Sequence, residues 1–153
     1  MKLELKAVKH SEWASQETNC YQATIYLEGK PFASVQNEGF GGPTSIYRDH
    51  RFKGDMKDWN YKKERVNKYL QMNFEDVWDY EEAIVSWSDK ALVDWLIMKD
   101  LRNAMKRKIL FKKADGKLYE AKTTIEAIRS QFPDAQILND MQTQEAFRIF
   151  SMA

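Results

Sequence analysis

Residues Ser88 to Lys122 read SDKALVDWLIMKDLRNAMKRKILFKKADGKLYEAK, and the change of period midway along this stretch decides the fold class. In its first half, Leu92, Trp95, Leu96, Leu101 and Met105 recur at helical spacing, and Ile97, Met98 and Ala104 widen the stripe. The spacing predicts a main helix with Ser88 as N-cap and Asp89 at its positive end. Lys106, Arg107 and Lys108 suit its negative end, and Trp95 and Leu96 are expected at the centre of the core. In the second half, Ile109 to Lys113 and Lys117 to Lys122 flank Ala114-Asp115-Gly116, the signature of a β-hairpin turning at Asp-Gly.

Upstream, residues 2–10 alternate as a strand, and Cys20 to Leu27 is β-rich. Glu28-Gly29-Lys30-Pro31 is a tight turn, Phe32 to Gln36 a third strand, and Thr44 to Tyr47 a fourth. Residues 48–59 read as a charged loop and Asn60 to Met72 as a helix with Val66, Tyr69 and Leu70 inward. Phe74 to Trp87 reads as a second, shorter helical piece. Downstream, Thr123 and Glu126 form a capping-box pattern before a helix at 124–131, which Phe132-Pro133 stops. Gln136 to Leu138 is expected as a short buried strand. Asn139 or Asp140 then caps a last helix carrying Phe147, Ile149 and Phe150. The expectation is a single α+β domain over 1–153: an N-terminal antiparallel meander, a helical centre with one long helix, and a C-terminal hairpin–helix–strand–helix.

Composition narrows the function classes. With 43% apolar and 13% aromatic residues the chain carries too much core-forming material to be a disordered linker. The net charge of +1 argues against non-specific coating of nucleic acid. That balance conceals polarity, because residues 73–100 hold eight acidic and two basic residues and residues 101–122 hold the reverse. Adjacent blocks of opposite sign pairing in the fold is the simplest account. Cys20 is the only cysteine, which removes intrachain disulfides and thiolate clusters and suits a reducing, cytoplasmic setting. No apolar run reaches the roughly 20 residues of a membrane span, and residues 1–10 lack a signal-peptide core.

Ser15-x-Glu17-Thr18-x-Cys20-Tyr21, a strand, Gly29-Lys30, a strand and Asn37-x-Gly39-x-Gly41-Gly42 together resemble a pattern in small bacterial and phage proteins of no assigned activity. The stretch Phe132-Pro133-x-Ala135-x-Ile137-Leu138-Asn139 with its following helix is similar to the ends of such proteins. The resemblance covers about half the chain. It implies a cytoplasmic protein carried by a mobile element, of a kind that binds and inhibits host machinery such as a defence system.

Candidate chemistry is sparse. Gly39, Gly41 and Gly42 offer either an anion-binding nest or a turn needing positive φ; Pro43 and the strand-like continuation favour the turn. His10-x-Glu12 matches half of a zinc-deaminase signature, but the cysteine pair is missing. His50 has no evident nucleophile beside it, and the carboxylate pairs Asp55/Asp58 and Glu81/Glu82 are expected by chance in a chain with 31% charged residues. Cys20 reads as an inert buried thiol. Phe111 and Tyr119 read as core aromatics rather than base-stacking platforms.

The strongest candidate is basic. Lys99, Arg102, Asn103 and Lys106 lie at i, i+3, i+4 and i+7, and Arg107, Lys108, Lys112 and Lys113 extend the positive charge into the hairpin. A solvated helix face accounts for such a cluster without function. The functional expectation is a non-catalytic protein-binding protein, an inhibitor or adaptor meeting a host protein through this face. The alternative is a nucleic-acid-binding module using residues 99–113. Neither a cofactor nor a metal is expected, and no catalytic constellation supports an enzyme.

Overall fold

A computed structural model of the chain describes residues 1–75 and 82–153. The architecture is α+β, with an N-terminal four-stranded antiparallel meander, two central helices and C-terminal strands and helices. The chain divides into two compact units, Met1–Val93 and Asp94–Ala153.

In the first unit, β1 (Leu3–Ser11), β2 (Cys20–Leu27), β3 (Lys30–Asn37) and β4 (Ser45–Arg48) pair in sequence order. Glu28 and Gly29, at φ 50° and 78°, form the β2–β3 turn. Two successive positive φ values give a turn whose twist matches that of the strands it joins. Alternation places Tyr21, Ala23 and Ile25 of β2 inside with Ala33 and Val35 of β3, and Phe32, next to the register shift at Ile25/Tyr26, is buried as well.

Helix α1 (Met56–Asn73) begins four residues before the predicted start. Asp55 and Asp58 each accept the other's backbone N–H, a capping box that the charged composition of 48–59 disguised as loop. Its buried positions are Trp59, Val66 and Leu70, one face of the helix. The Trp59 indole N–H donates to the Phe32 carbonyl at 2.9 Å.

Helix α2 runs from Ala83 to Arg107. Ser88 is therefore not its N-cap. It lies in the second turn, where its Oγ is 3.0 Å from both the Val85 carbonyl and the Tyr21 hydroxyl. At the observed start, Asn67 of α1 accepts the Ile84 N–H through its side chain. Ala83 to Trp87 thus belong to the long helix rather than to a separate one, and Phe74 caps α1; residues 76–81 of the predicted intermediate helix lie outside the described residues. Ala83, Ile84, Leu92 and Leu101 are the fully enclosed apolar positions of α2, whereas Trp95 and Leu96, expected at the core's centre, are half-buried.

The second unit carries a small sheet in the order β6 (Leu118–Ala121), β5 (Ile109–Lys112), β7 (Gln136–Ile137), all antiparallel, with the hairpin turning at Asp115-Gly116 as predicted. Strand β5 is buried on both faces. Leu110 packs with Leu101, Leu138 and Ala146, while Phe111 packs with Ile128 and Ile137. Burial on both sides is why Ile109-Leu110-Phe111 reads as a continuous apolar run. Helix α3 (Ile125–Gln131) is capped by Thr124, which accepts the Ala127 N–H, one residue after the predicted cap. After β7 a 3-10 turn spans Leu138–Asp140, and α4 (Thr143–Ser151) follows with no side-chain cap.

Neither Asn139 nor Asp140 caps α4. The Asn139 side chain accepts the Leu110 N–H and donates to the Lys108 carbonyl, joining the last turn of α2 to the start of β5. A polar side chain is needed there because the chain leaves the helix and enters the strand within two residues, orphaning backbone groups near the core. Asp140 pairs instead with Arg129.

Candidate functional site

The basic residues of 99–113 do not form one surface. Over its last three turns α2 turns Met98, Leu101, Ala104 and Met105 into the apolar cluster with Leu110, Leu138 and Ala146. At about 100° per residue this directs Lys99, Arg102, Asn103, Lys106 and Arg107 the other way, and all five are exposed. Among the described residues none of these four cations has an ion-pair partner. Lys99 lies 5.4 Å from the Trp95 ring centroid. The other three predicted members are placed differently. Lys108 is paired with Glu120 at 2.5 Å. Lys113 is half-buried, its ammonium 4.1 Å from both the Tyr119 and Phe132 rings. Lys112 is half-buried at the end of β5. Phe111 stacks between Tyr119 and Phe132, with centroids 5.9 and 5.6 Å away, as a core aromatic does.

The hairpin tip has its own electrostatics. The Tyr119 hydroxyl donates to Asp115 at 2.6 Å, which holds the Asp115 carboxyl below its ordinary range and raises the phenol.

The glycine loop is built as a turn. Gly39 and Gly41 have φ of 88° and 95°, and Gly42 is not in the positive-φ region. The Gly39 N–H donates to Asn37 Oδ1 at 2.8 Å and the Gly41 N–H to Thr18 Oγ1 at 3.3 Å, so both amides are already engaged. The Gly39 carbonyl accepts the N–H groups of Gln16 and Glu17, each at 3.0 Å. A Cβ on Gly39 would stand 2.2 Å from the Ala14 carbonyl oxygen, which ties the residue type to close backbone approach. Carboxylates also surround the loop. Glu17 adjoins Gly41, and Asp89 accepts from Thr44 at 2.6 Å and from Tyr21 at 2.8 Å. An anion there would meet negative charge and spent donors, so the geometry supports the turn. Burial, reinforced by the Asp89 charge, pushes the Tyr21 hydroxyl far above an ordinary phenol.

Asp55, Asp58, Glu82 and His10 have structural contacts. Asp55 and Asp58 form the α1 cap, and Glu82 pairs with Lys63 at 3.0 Å; Glu81 lies outside the described residues. His10 is 3.3 Å from Asn19 Oδ1 and 3.4 Å from Ser15 Oγ. Cys20 is a half-buried free thiol. His50 is exposed and lies beside Asp49 at 3.8 Å.

Sequence reasoning passed over Asp49 itself. Its side chain is 1% exposed and accepts from Arg51 Nε at 2.9 Å and Nη2 at 3.1 Å, from the Arg51 N–H, and from the Ser34 hydroxyl. The Arg51 hydrogen bonds hold the Asp49 carboxyl at about 2, below its usual 3.8, against the opposing effect of burial. Only the pairing of an Asp with an Arg two residues later hinted at this. No family model matches the chain, and no curated protein or solved structure matches it.

Among the described residues no helix is long and apolar enough to cross a membrane.

Proposed function

We propose that this chain is a non-catalytic binding protein that engages an acidic surface of a host protein in the cytoplasm through Lys99, Arg102, Lys106 and Arg107 of α2. The observation that carries the reading is the one-sided exposure of these four cations, without an ion-pair partner among the described residues, opposite the side of the helix that holds Leu101. A helix anchored by a buried face presents such charges with little freedom to reorient, which favours register and encounter rate with a complementary protein. The nucleic-acid alternative is weakened because Lys108 and Lys113 are engaged locally. The remaining track from residue 99 to 107 spans only about 12 Å. The inhibitor or adaptor role is part of the proposal and rests on the sequence pattern shared with small bacterial and phage proteins.

The test is capture of a partner from host lysate by the wild-type protein, followed by titration of that purified partner with Arg102→Glu and Arg107→Glu. Each change should weaken binding by at least about tenfold if these arginines are desolvated anchors. Retained affinity in both variants would overturn the reading. A salt titration with duplex DNA and with RNA separates the alternative. Binding near physiological salt with a log–log slope of roughly −3.6, flattening by about one unit per neutralised cation, would establish the nucleic-acid function instead.

A further inference from the structure

A cleft of about 540 Å³ opens in the first unit, bordered by the β2–β3 turn, residues 51–53 and α1. Its floor is apolar. Leu27, Pro31, Phe32, Phe52 and Val66 line it, and Phe32 and Phe52 meet edge to face at 5.6 Å. Its rim is cationic: Lys30, Lys53, Lys62 and Arg65 are all exposed. None of the four has an ion-pair partner among the described residues. Lys62 leans 5.5 Å from the Phe52 ring centroid and Arg65 lies 5.9 Å from that of Tyr61. Arg51 also lines the cleft, but its charge is matched by buried Asp49, which fixes the guanidinium in the wall. The one acidic lining residue is Glu28, whose carboxylate accepts the Lys2 backbone N–H at 2.9 Å.

We propose that this cleft is a binding site for a small amphiphilic anion, an apolar body bearing a single carboxylate or phosphate head. The volume falls within the roughly 300–1,000 Å³ of small-molecule sites, which combine an apolar lining with a few polar groups that orient the ligand. An apolar molecule alone would use the floor and leave four cations crowded around its exposed end. A fully polar anion would use the rim and leave Leu27, Pro31 and Phe52 wet. A molecule with both parts removes apolar area from water and offsets the mutual repulsion of the rim charges. This site shares no residue with the α2 face, so either can fail without the other.

The experiment uses the full chain with octanoate, octyl phosphate and octanol, followed by amide chemical shifts in titrations below any micelle concentration. Octanoate or octyl phosphate should shift resonances of Leu27–Phe32, Arg51–Lys53 and Lys62–Val66, and octanol should bind roughly tenfold more weakly. Lys62→Ala and Arg65→Ala, both at exposed positions, should each weaken the anions about fivefold and leave octanol unchanged. Arg102→Ala should have no effect on either. Equal affinity for octanol and octanoate, or anion affinity unchanged in the Lys62→Ala/Arg65→Ala double variant, would overturn the proposal. So would perturbations scattered over the chain, or binding to phosphatidylglycerol vesicles with none to the monomeric anions.

Discussion

Around α1, Lys30, Lys53, Lys62 and Arg65 stand at the rim of a hollow floored by Leu27, Pro31 and Phe52. On α2, Lys99, Arg102, Lys106 and Arg107 stand on a convex helix face whose apolar side is turned inward. Both sets hold four cations without an ion-pair partner among the described residues, yet they suit different ligands because of what lies beneath the charge. In the hollow, charge and apolar surface are offered together to one small molecule. On the helix, charge alone is offered, and only an extended complementary surface can use four such groups at once. Net charge by segment does not separate these cases; the position of the nearest apolar side chains does.

The largest test of this contrast concerns which way α2 faces. Leu101 is fully buried and Leu96 half-buried, so Leu101→Ala should cost about 2–5 kcal/mol in urea denaturation and Leu96→Ala distinctly less. Equal losses would mean that the helix is rotated, and the stripe would no longer be its free side.

Next in size is the ion pair that fixes the cleft wall. Asp49→Asn removes the charge that several donors converge on and should cost about 2–3 kcal/mol at neutral pH. The pH dependence has a definite sign. Because the fold depresses the Asp49 carboxyl from 3.8 to about 2, its contribution is complete above about pH 5 and is lost as pH falls through about 2. Denaturation midpoints across that window should fall more steeply for the wild type than for Asp49→Asn. Parallel curves would show that Asp49 is not the ionised partner of Arg51.

The smallest test sharpens the glycine loop, which binds neither kind of ligand in this account. Gly39→Ala places a Cβ against the Ala14 carbonyl at positive φ and should cost about 1–3 kcal/mol. Gly42→Ala, with open space and no positive φ, should stay within about 0.5 kcal/mol. Thermal melts of the two variants decide it, and a costly Gly42→Ala would mean that the second glycine is also held by contacts.

Much of the fold was readable from short stretches. Cys20–Leu27 alternates and is bounded by turn residues, and Asp115-Gly116 sits between two apolar runs, so both elements follow from neighbours a few positions apart. The basic stripe was readable for the same reason, since helical spacing alone puts residues 99, 102 and 106 together. The fate of Lys108 and Lys113 was not, because Glu120, Tyr119 and Phe132 reach these two side chains only after the hairpin and α3 have folded.

By itself, then, the sequence determined the α+β class, the meander, the hairpin and the presence of a long helix, all products of local periodicity and turn chemistry. The tertiary structure decided the rest through partners distant in the chain. Ser88 has the chemistry of an N-cap, but it lies inside a helix that begins at Ala83, near Tyr21 from 67 positions away. Asn139 could have begun the last helix, yet Leu110 and Lys108 claim its side chain. Asp49 lies in a stretch that reads as charged loop, yet Ser34 and Arg51 enclose it. In each case the residue type permits several hydrogen-bonded roles of similar energy, and burial selects the one whose alternatives would leave a polar group unpaired.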